Sequence, residues 1–139
     1  MKYIKKAILL LLSIMLFSFL NFYFCNAILS RKSEENIGKY IINYTPVGSS
    51  KEDVKKFINM KGYNLIYDSN KPEFLRGVAF PRNYLPEKYS IGIGSSHITV
   101  CIAESMLSLF VNVNVMCTWI FDDDDKLLVI DIKKYYDSL

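Results

Sequence analysis

The stretch from Leu109 to Lys134, LFVNVNVMCTWIFDDDDKLLVIDIKK, constrains the fold more than any other. It alternates apolar and polar residues with period two, breaks at Asp122–Asp125, and alternates again. Residues that alternate in this way face opposite sides of a pleated strand, so the pattern predicts a β-hairpin at the centre of a sheet. In its first arm Leu109, Val111, Val113, Val115, Cys117, Trp119 and Phe121 share a face. Phe110, Asn112, Asn114, Met116, Thr118 and Ile120 share the other. The asparagines mark that second face as wet, which makes the Trp119 face the core. In the second arm Leu128, Ile130 and Ile132 are expected to face in, with Leu127, Val129, Asp131 and Lys133 outward. A further strand, His97 to Glu104, is expected to set Ile98, Val100 and Ile102 against His97, Thr99, Cys101 and Ala103.

Upstream of the sheet, TPVGSSKEDVKKFINMKGY carries the signals of a short amphipathic helix. Ser49 with Glu52, or Ser50 with Asp53, has capping-box spacing. Acids at its start and lysines after them suit the helix dipole. Val54, Phe57 and Ile58 form one apolar stripe, and Gly62 is a natural stop. Before it, Ser30 to Asn36 reads as a linker. Ser33 then caps either a second short helix, with Ile37, Tyr40, Ile41 and Tyr44 at helical spacing, or an extended segment; Gly38 weakens the helix. Tyr63–Tyr67 and Phe74–Phe80 are expected strands, and Pro81–Ser90 is an expected exposed loop.

Met1–Ala27 reads as an export segment: Lys2, Lys5 and Lys6 precede the apolar run Ala7–Leu20, and Cys25-Asn26-Ala27 offers small residues for cleavage after Ala27. The longer stretch Ala7–Cys25 is long enough, at about 1.5 Å per residue, to approach a bilayer core of about 30 Å as an uncleaved anchor. A buried core helix is the third reading. In the first two the lysines stay in the cytoplasm and the remainder lies on the periplasmic, extracytoplasmic side of a bacterial inner membrane. The organisation is then 1–27, signal peptide or membrane anchor; 28–44, linker or short helix; and 45–139, an α+β domain. Its fold class is one or two short helices on one face of an antiparallel sheet of about four strands, preceded by the N-terminal hydrophobic helix.

Charge argues about partners. The chain carries 17 Lys and Arg against 14 Asp and Glu, and the three lysines of the leader account for the whole excess. A formally neutral domain gives no electrostatic case for nucleic acid.

Candidate chemistry is sparse. His97 is the sole histidine, and Cys101 stands four residues on. On a strand that spacing separates them by about 13 Å, too far for shared zinc ligation. Asp122–Asp125 lacks the glycine, spaced ligands and distal glutamate of a calcium loop and reads as a solvated turn. Gly92-Ile93-Gly94-Ser95-Ser96 has neither nucleophile-elbow nor phosphate-loop spacing. No acid–base pair is defined, and no catalytic, cofactor-binding or metal-binding residue is assigned. Cys101 and Cys117 fall on opposite faces, which favours two free thiols unless a bulge reverses the parity. Ten tyrosines, among them Tyr63, Tyr67, Tyr84 and Tyr89, supply amphipathic area suited to protein recognition, and equally edge a small core.

At TPVGSSKEDVKKFI and TWIFDDDDKLLVIDIKK the chain resembles the SmpA/OmlA (BamE-like) superfamily of small exported domains. β-Lactamase-inhibitor proteins are similar in architecture. The tail Tyr136-Asp137-Ser138-Leu139 looks like that of small uncharacterised bacterial exported proteins. The resemblance implies a helix on an antiparallel sheet and a protein-binding habit, with no functional residue carried over. The expectation is a non-enzymatic, envelope-associated protein-binding domain without cofactor, of the maintenance, inhibitor or immunity type. The alternative is an exported hydrolase or thiol enzyme using His97 or Cys101.

Overall fold

The computed structural model describes residues 6, 10–16, 28–81, 93–108 and 111–138, with the side chains of 106–108 excepted. Two helices, α1 (Glu34–Tyr44) and α2 (Lys51–Lys61), precede five strands: β1 (Asn64–Ser69), β2 (Val78–Phe80), β3 (Ser96–Ser108), β4 (Val111–Phe121) and β5 (Leu127–Ser138). The strands form one antiparallel sheet in the order β1-β3-β4-β5-β2. Residues 10–16 and 28–31 are also helical. The fold is α+β, with five strands rather than about four. The addition is β2, only three residues long, paired with Ile130–Ile132 of β5. Within the expected strand Phe74–Phe80 only this end is extended beside β5. The stretch before it forms no ladder with β5, although a Cβ on Gly77 would lie 1.9 Å from the Ile132 carbonyl oxygen.

Both helices start where the sequence places a cap. The Ser33 hydroxyl accepts from the Asn36 amide, and the Ser50 hydroxyl accepts from the Asp53 amide while donating to Asp53 Oδ2 at 2.7 Å. Ser50–Asp53 is therefore the working capping register, and Gly62 closes α2 in the left-handed region at φ 66°. Both helices lie on the Trp119 face of the sheet. Ile37, Ile41, Val54, Phe57 and Ile58 from the helices meet Ile98, Val100, Val113, Val115, Cys117, Trp119, Phe121, Ile130 and Ile132 from the strands. Trp119 is fully buried, packs edge-on against Phe57 at 6.3 Å, and donates its indole N–H to Thr45 Oγ1 at 2.9 Å.

Two bulges alter the expected faces. β3 and β4 keep register from Ser96 to Cys101, then shift so that Ala103, not Ile102, opposes Val115. Ala103 consequently lies in the core with Ile102 instead of on the wet face. Near the hairpin turn, Phe121 pairs with Leu127 and Ile120 with Val129, leaving Leu128 as the extra residue. Leu127 therefore faces the helices and Leu128 the other side, the reverse of the sequence expectation. The β3 bulge comes after Cys101, so Cys101 opposes Met116 while Cys117 opposes Val100. Both of these cysteines are free, the outcome that parity favours.

The four-aspartate turn is organised by its own first carboxylate. Asp122 Oδ1 accepts from the Asp124 and Lys126 amides at 3.0 and 2.8 Å, and Asp125 takes a left-handed φ of 55°. Among the described residues no helix is long and apolar enough to cross a membrane. Most of Met1–Ala27, including the expected cleavage site, and most of Pro81–Ser90 lie outside them.

Gly38 shows why a weak helix former belongs in α1. A Cβ there would fall 2.0 Å from the Phe80 ring, which is itself buried and cannot swing aside. Gly38→Ala gains about 1 kcal/mol of helix propensity but overpacks the core at a cost of about 1–3 kcal/mol. A lowered denaturant midpoint is expected. An unchanged or raised midpoint would show that Phe80 is not seated on this helix.

Candidate functional site

The sheet has a second face, away from the helices, and it is only partly covered. Toward the hairpin turn, Ile93, Ile120 and Val129 form a small apolar cluster with Leu75, Ala79 and Leu128 packed against it. Beyond that cluster the face is an open groove of about 850 Å³. Its floor is built by strand alternation: Thr99 and Cys101 on β3, Asn114, Met116 and Thr118 on β4, Asp131, Lys133 and Tyr135 on β5. Ile66 and Tyr67 flank it from β1, and residues 71–76 wall one end. The Thr99 and Thr118 hydroxyls share a hydrogen bond at 2.9 Å on the floor, and Lys133 sits over the Tyr135 ring at 5.0 Å.

The end wall is fixed by two acids. Asp131 is buried, and its carboxylate accepts from the Arg76 amide at 2.9 Å and from the Gly77 amide at 3.0 Å. Burial pushes this carboxyl above its usual range, against the opposing pull of the two amides. Glu73 is the second. Its Oε1 takes the Phe74 amide at 2.9 Å and the Arg76 guanidinium at 3.2 Å, and its backbone pairs with Ile93.

His97 is held beneath this wall. Its Nδ1 lies 2.9 Å from the Lys71 carbonyl oxygen, which can only accept, so Nδ1 carries a proton. Tyr67 stacks on the imidazole with centroids 5.3 Å apart, and only 3% of the residue is exposed. Nε2 is 3.1 Å from Glu73 Oε2 yet is not aligned for a hydrogen bond to it. The ring borders the groove but is almost wholly buried, wedged between Tyr67 and Glu73.

Cys101 lies further along the same face, in the unbroken stretch of β3 that begins at Ser96. The structure does not bring it to His97. Its thiol donates to the Ala103 carbonyl oxygen at 3.4 Å. Burial and the neighbouring Glu104 charge push the thiol above its usual range, the opposite of what activates a nucleophile. Cys117 is raised further by complete burial in the core.

Alternation alone identifies the floor, because the wet face of the central strand already names Asn114, Met116 and Thr118. Sequence reasoning misses the wall. Glu73 meets His97 across 24 positions and Asp131 meets Arg76 across 55, and neither pairing leaves a local trace. No family model, no curated protein and no solved structure matches the chain.

Asp131 and Asp68 give opposite pH signatures. Asp131 has its folded pKa above 3.8, so between 3.8 and the raised value the folded chain binds the extra proton. Its contribution to stability therefore falls as pH rises through that window. Burial would raise Asp68 too, but its bonds to Lys51 and Lys55, each 3.1 Å long, outweigh it and lower the pKa. Asp68 stabilises above pH 3.8 and loses that contribution as pH falls through the lowered value. Denaturation across pH should thus show Asp131→Asn removing a negative slope and Asp68→Asn a positive one. Identical profiles for the two variants would refute the assignment.

Proposed function

We propose that the chain is a non-catalytic, envelope-associated domain that binds another protein through the open face of its sheet. One observation carries the reading: an 850 Å³ groove whose aromatic, hydroxyl, amide and thioether side chains are not consumed by the core on the opposite face. Tyr67, Phe74 and Tyr135 provide stiff amphipathic area, and Met116 adapts to varied shapes. A wall pinned by Asp131 and Glu73 preorganises the groove, which lowers the entropy cost of binding. Reading Met1–Ala27 as an export-type leader supports a location on the far side of a bacterial inner membrane, either anchored or released. The resemblance to the SmpA/OmlA superfamily and to β-lactamase-inhibitor architecture points the same way, toward envelope maintenance, inhibition or immunity.

The enzymatic alternative draws less support. A wedged histidine and a thiol with a raised pKa, held apart on one extended strand, make a poor catalytic pair.

Photo-cross-linking amino acids placed in the full chain at Met116 or Tyr135 should trap one discrete protein partner in the producing cell. The same probe on the exposed helix face, at Lys56 or Met60, should trap none. Met116→Asp should lower the yield from position 135 at least severalfold. Equal labelling from both faces, or none from either, would count against the groove. A hydrolytic activity abolished by Cys101→Ala or His97→Ala, in a folded protein, would favour the enzyme instead.

A further inference from the structure

The two edges of the sheet are treated differently. The outer edge of β5 is covered from Leu127 to Lys134. Leu127 exchanges main-chain hydrogen bonds with Gly48 and Ser49, β2 pairs with Ile130–Ile132, and Glu34 Oε1 accepts from the Lys134 amide at 2.8 Å. The outer edge of β1 has no such cover. Among the described residues Asn64–Ser69 pair only with β3, and Asn64 to Asp68 are exposed. An open edge is a row of unpaired donors and acceptors, which proteins commonly guard with lysine or proline. Neither occurs in NLIYDS, and Leu65, Ile66 and Tyr67 are 56%, 54% and 53% exposed.

Each side of this edge has a place for side chains. Toward the helices, Ile58, Leu65 and Ile98 line a hollow of about 260 Å³ with the Lys55–Asp68 ion pair beside it. On the other face, Ile66 and Tyr67 border the large groove. A strand laid along β1 alternates its side chains, so one set enters the hollow and the other the groove. Charge adds polarity. Glu104 lines the groove toward the Asn64 end, since Asn64 opposes Cys101, and Lys71 lines it just past Ser69. Neither side chain forms an ion pair among the described residues.

We propose that β1 is the docking edge for an extended segment of another protein, about six or seven residues long at about 3.3 Å per residue. Its hollow-facing positions are apolar, and its groove-facing positions carry a base beside Glu104 and an acid beside Lys71. This rests on the groove reading and supplies the chemistry of the partner. A second copy of the chain fits less well. The three exposed side chains offer on the order of 300 Å² of apolar surface, against ~800 Å² per partner in a stable dimer. The register shift at Ile66 also bends the edge, so two copies cannot lie straight against each other.

The test uses the full chain in detergent micelles and an end-blocked heptapeptide, Lys-Val-Thr-Val-Thr-Val-Glu. Titration should slow hydrogen exchange of the Asn64–Ser69 amides at least tenfold. N-methylating the amides along one edge of the peptide should weaken binding tenfold or more. Glu104→Lys with Lys71→Glu, two exposed changes that spare the core, should weaken it at least fivefold. Failure of the peptide to bind, binding without protection of β1, or indifference to N-methylation overturns the proposal. Protection that grows with protein concentration alone, with a doubled mass in sedimentation, overturns it in favour of a second copy. A partner cross-linked from Met116 while β1 exchange stays unchanged sinks edge pairing and leaves the groove reading standing. Loss of that cross-link sinks the groove reading itself.

Discussion

The hydrogen bond from the Trp119 indole to Thr45 Oγ1 holds the two layers of this protein in one arrangement. Thr45 caps α1 and passes its own hydroxyl proton to the Ile41 carbonyl oxygen at 3.1 Å, so a helix end, a turn and the central strand share one polar chain. Both polar groups are buried, and an unmade bond there would cost about 1–3 kcal/mol. Once it forms, the large indole has one position, Phe57 packs edge-on against it, and Tyr44 and Tyr63 pack in turn on the Phe57 ring. Helices placed in this way confine the core to one side of the sheet. The other side is left to be shaped by polar groups.

Those groups come from the same strands by parity. Strand β4 supplies Val113, Val115, Cys117 and Trp119 to the core and Asn114, Met116 and Thr118 to the groove floor. The groove is thus a by-product of the hydrophobic pattern, given its end by one segment that loops back. Asp131 holds that segment at Arg76 and Gly77, and Gly77 is there because the Ile132 carbonyl leaves no room for a Cβ. Core and groove share a scaffold, so substitutions at Ile130 or Ile132 would be felt on both faces.

Much of this was legible in the sequence, and what was not has a common cause. Period-two alternation placed the β4 faces, and cap spacing with an apolar stripe placed α2. Local pattern carries both signals over many residues. The bulges at Ile102 and Leu128 each rest on a single extra residue, and they turned Ala103 and Leu127 to the core against the pattern. β2 has too few residues to show a period and exists because β5 lies beside it. Glu73 and Asp131 act on distant partners, so their roles surface only once the chain is folded. The helix at Glu34–Tyr44 was ambiguous because Gly38 argued against it, yet that glycine is what admits Phe80.

The wiring has a consequence in time. Thr45 waits for Trp119, 74 positions away, and Glu34 waits for Lys134, 100 positions away. The helices come first in the chain, and the strands they must cover come last. A core assembled from such distant contacts cannot close while the chain is being made, and closes slowly afterwards because long loops must be ordered first. Until its last strand has left the ribosome, such a polypeptide stays open and threadable.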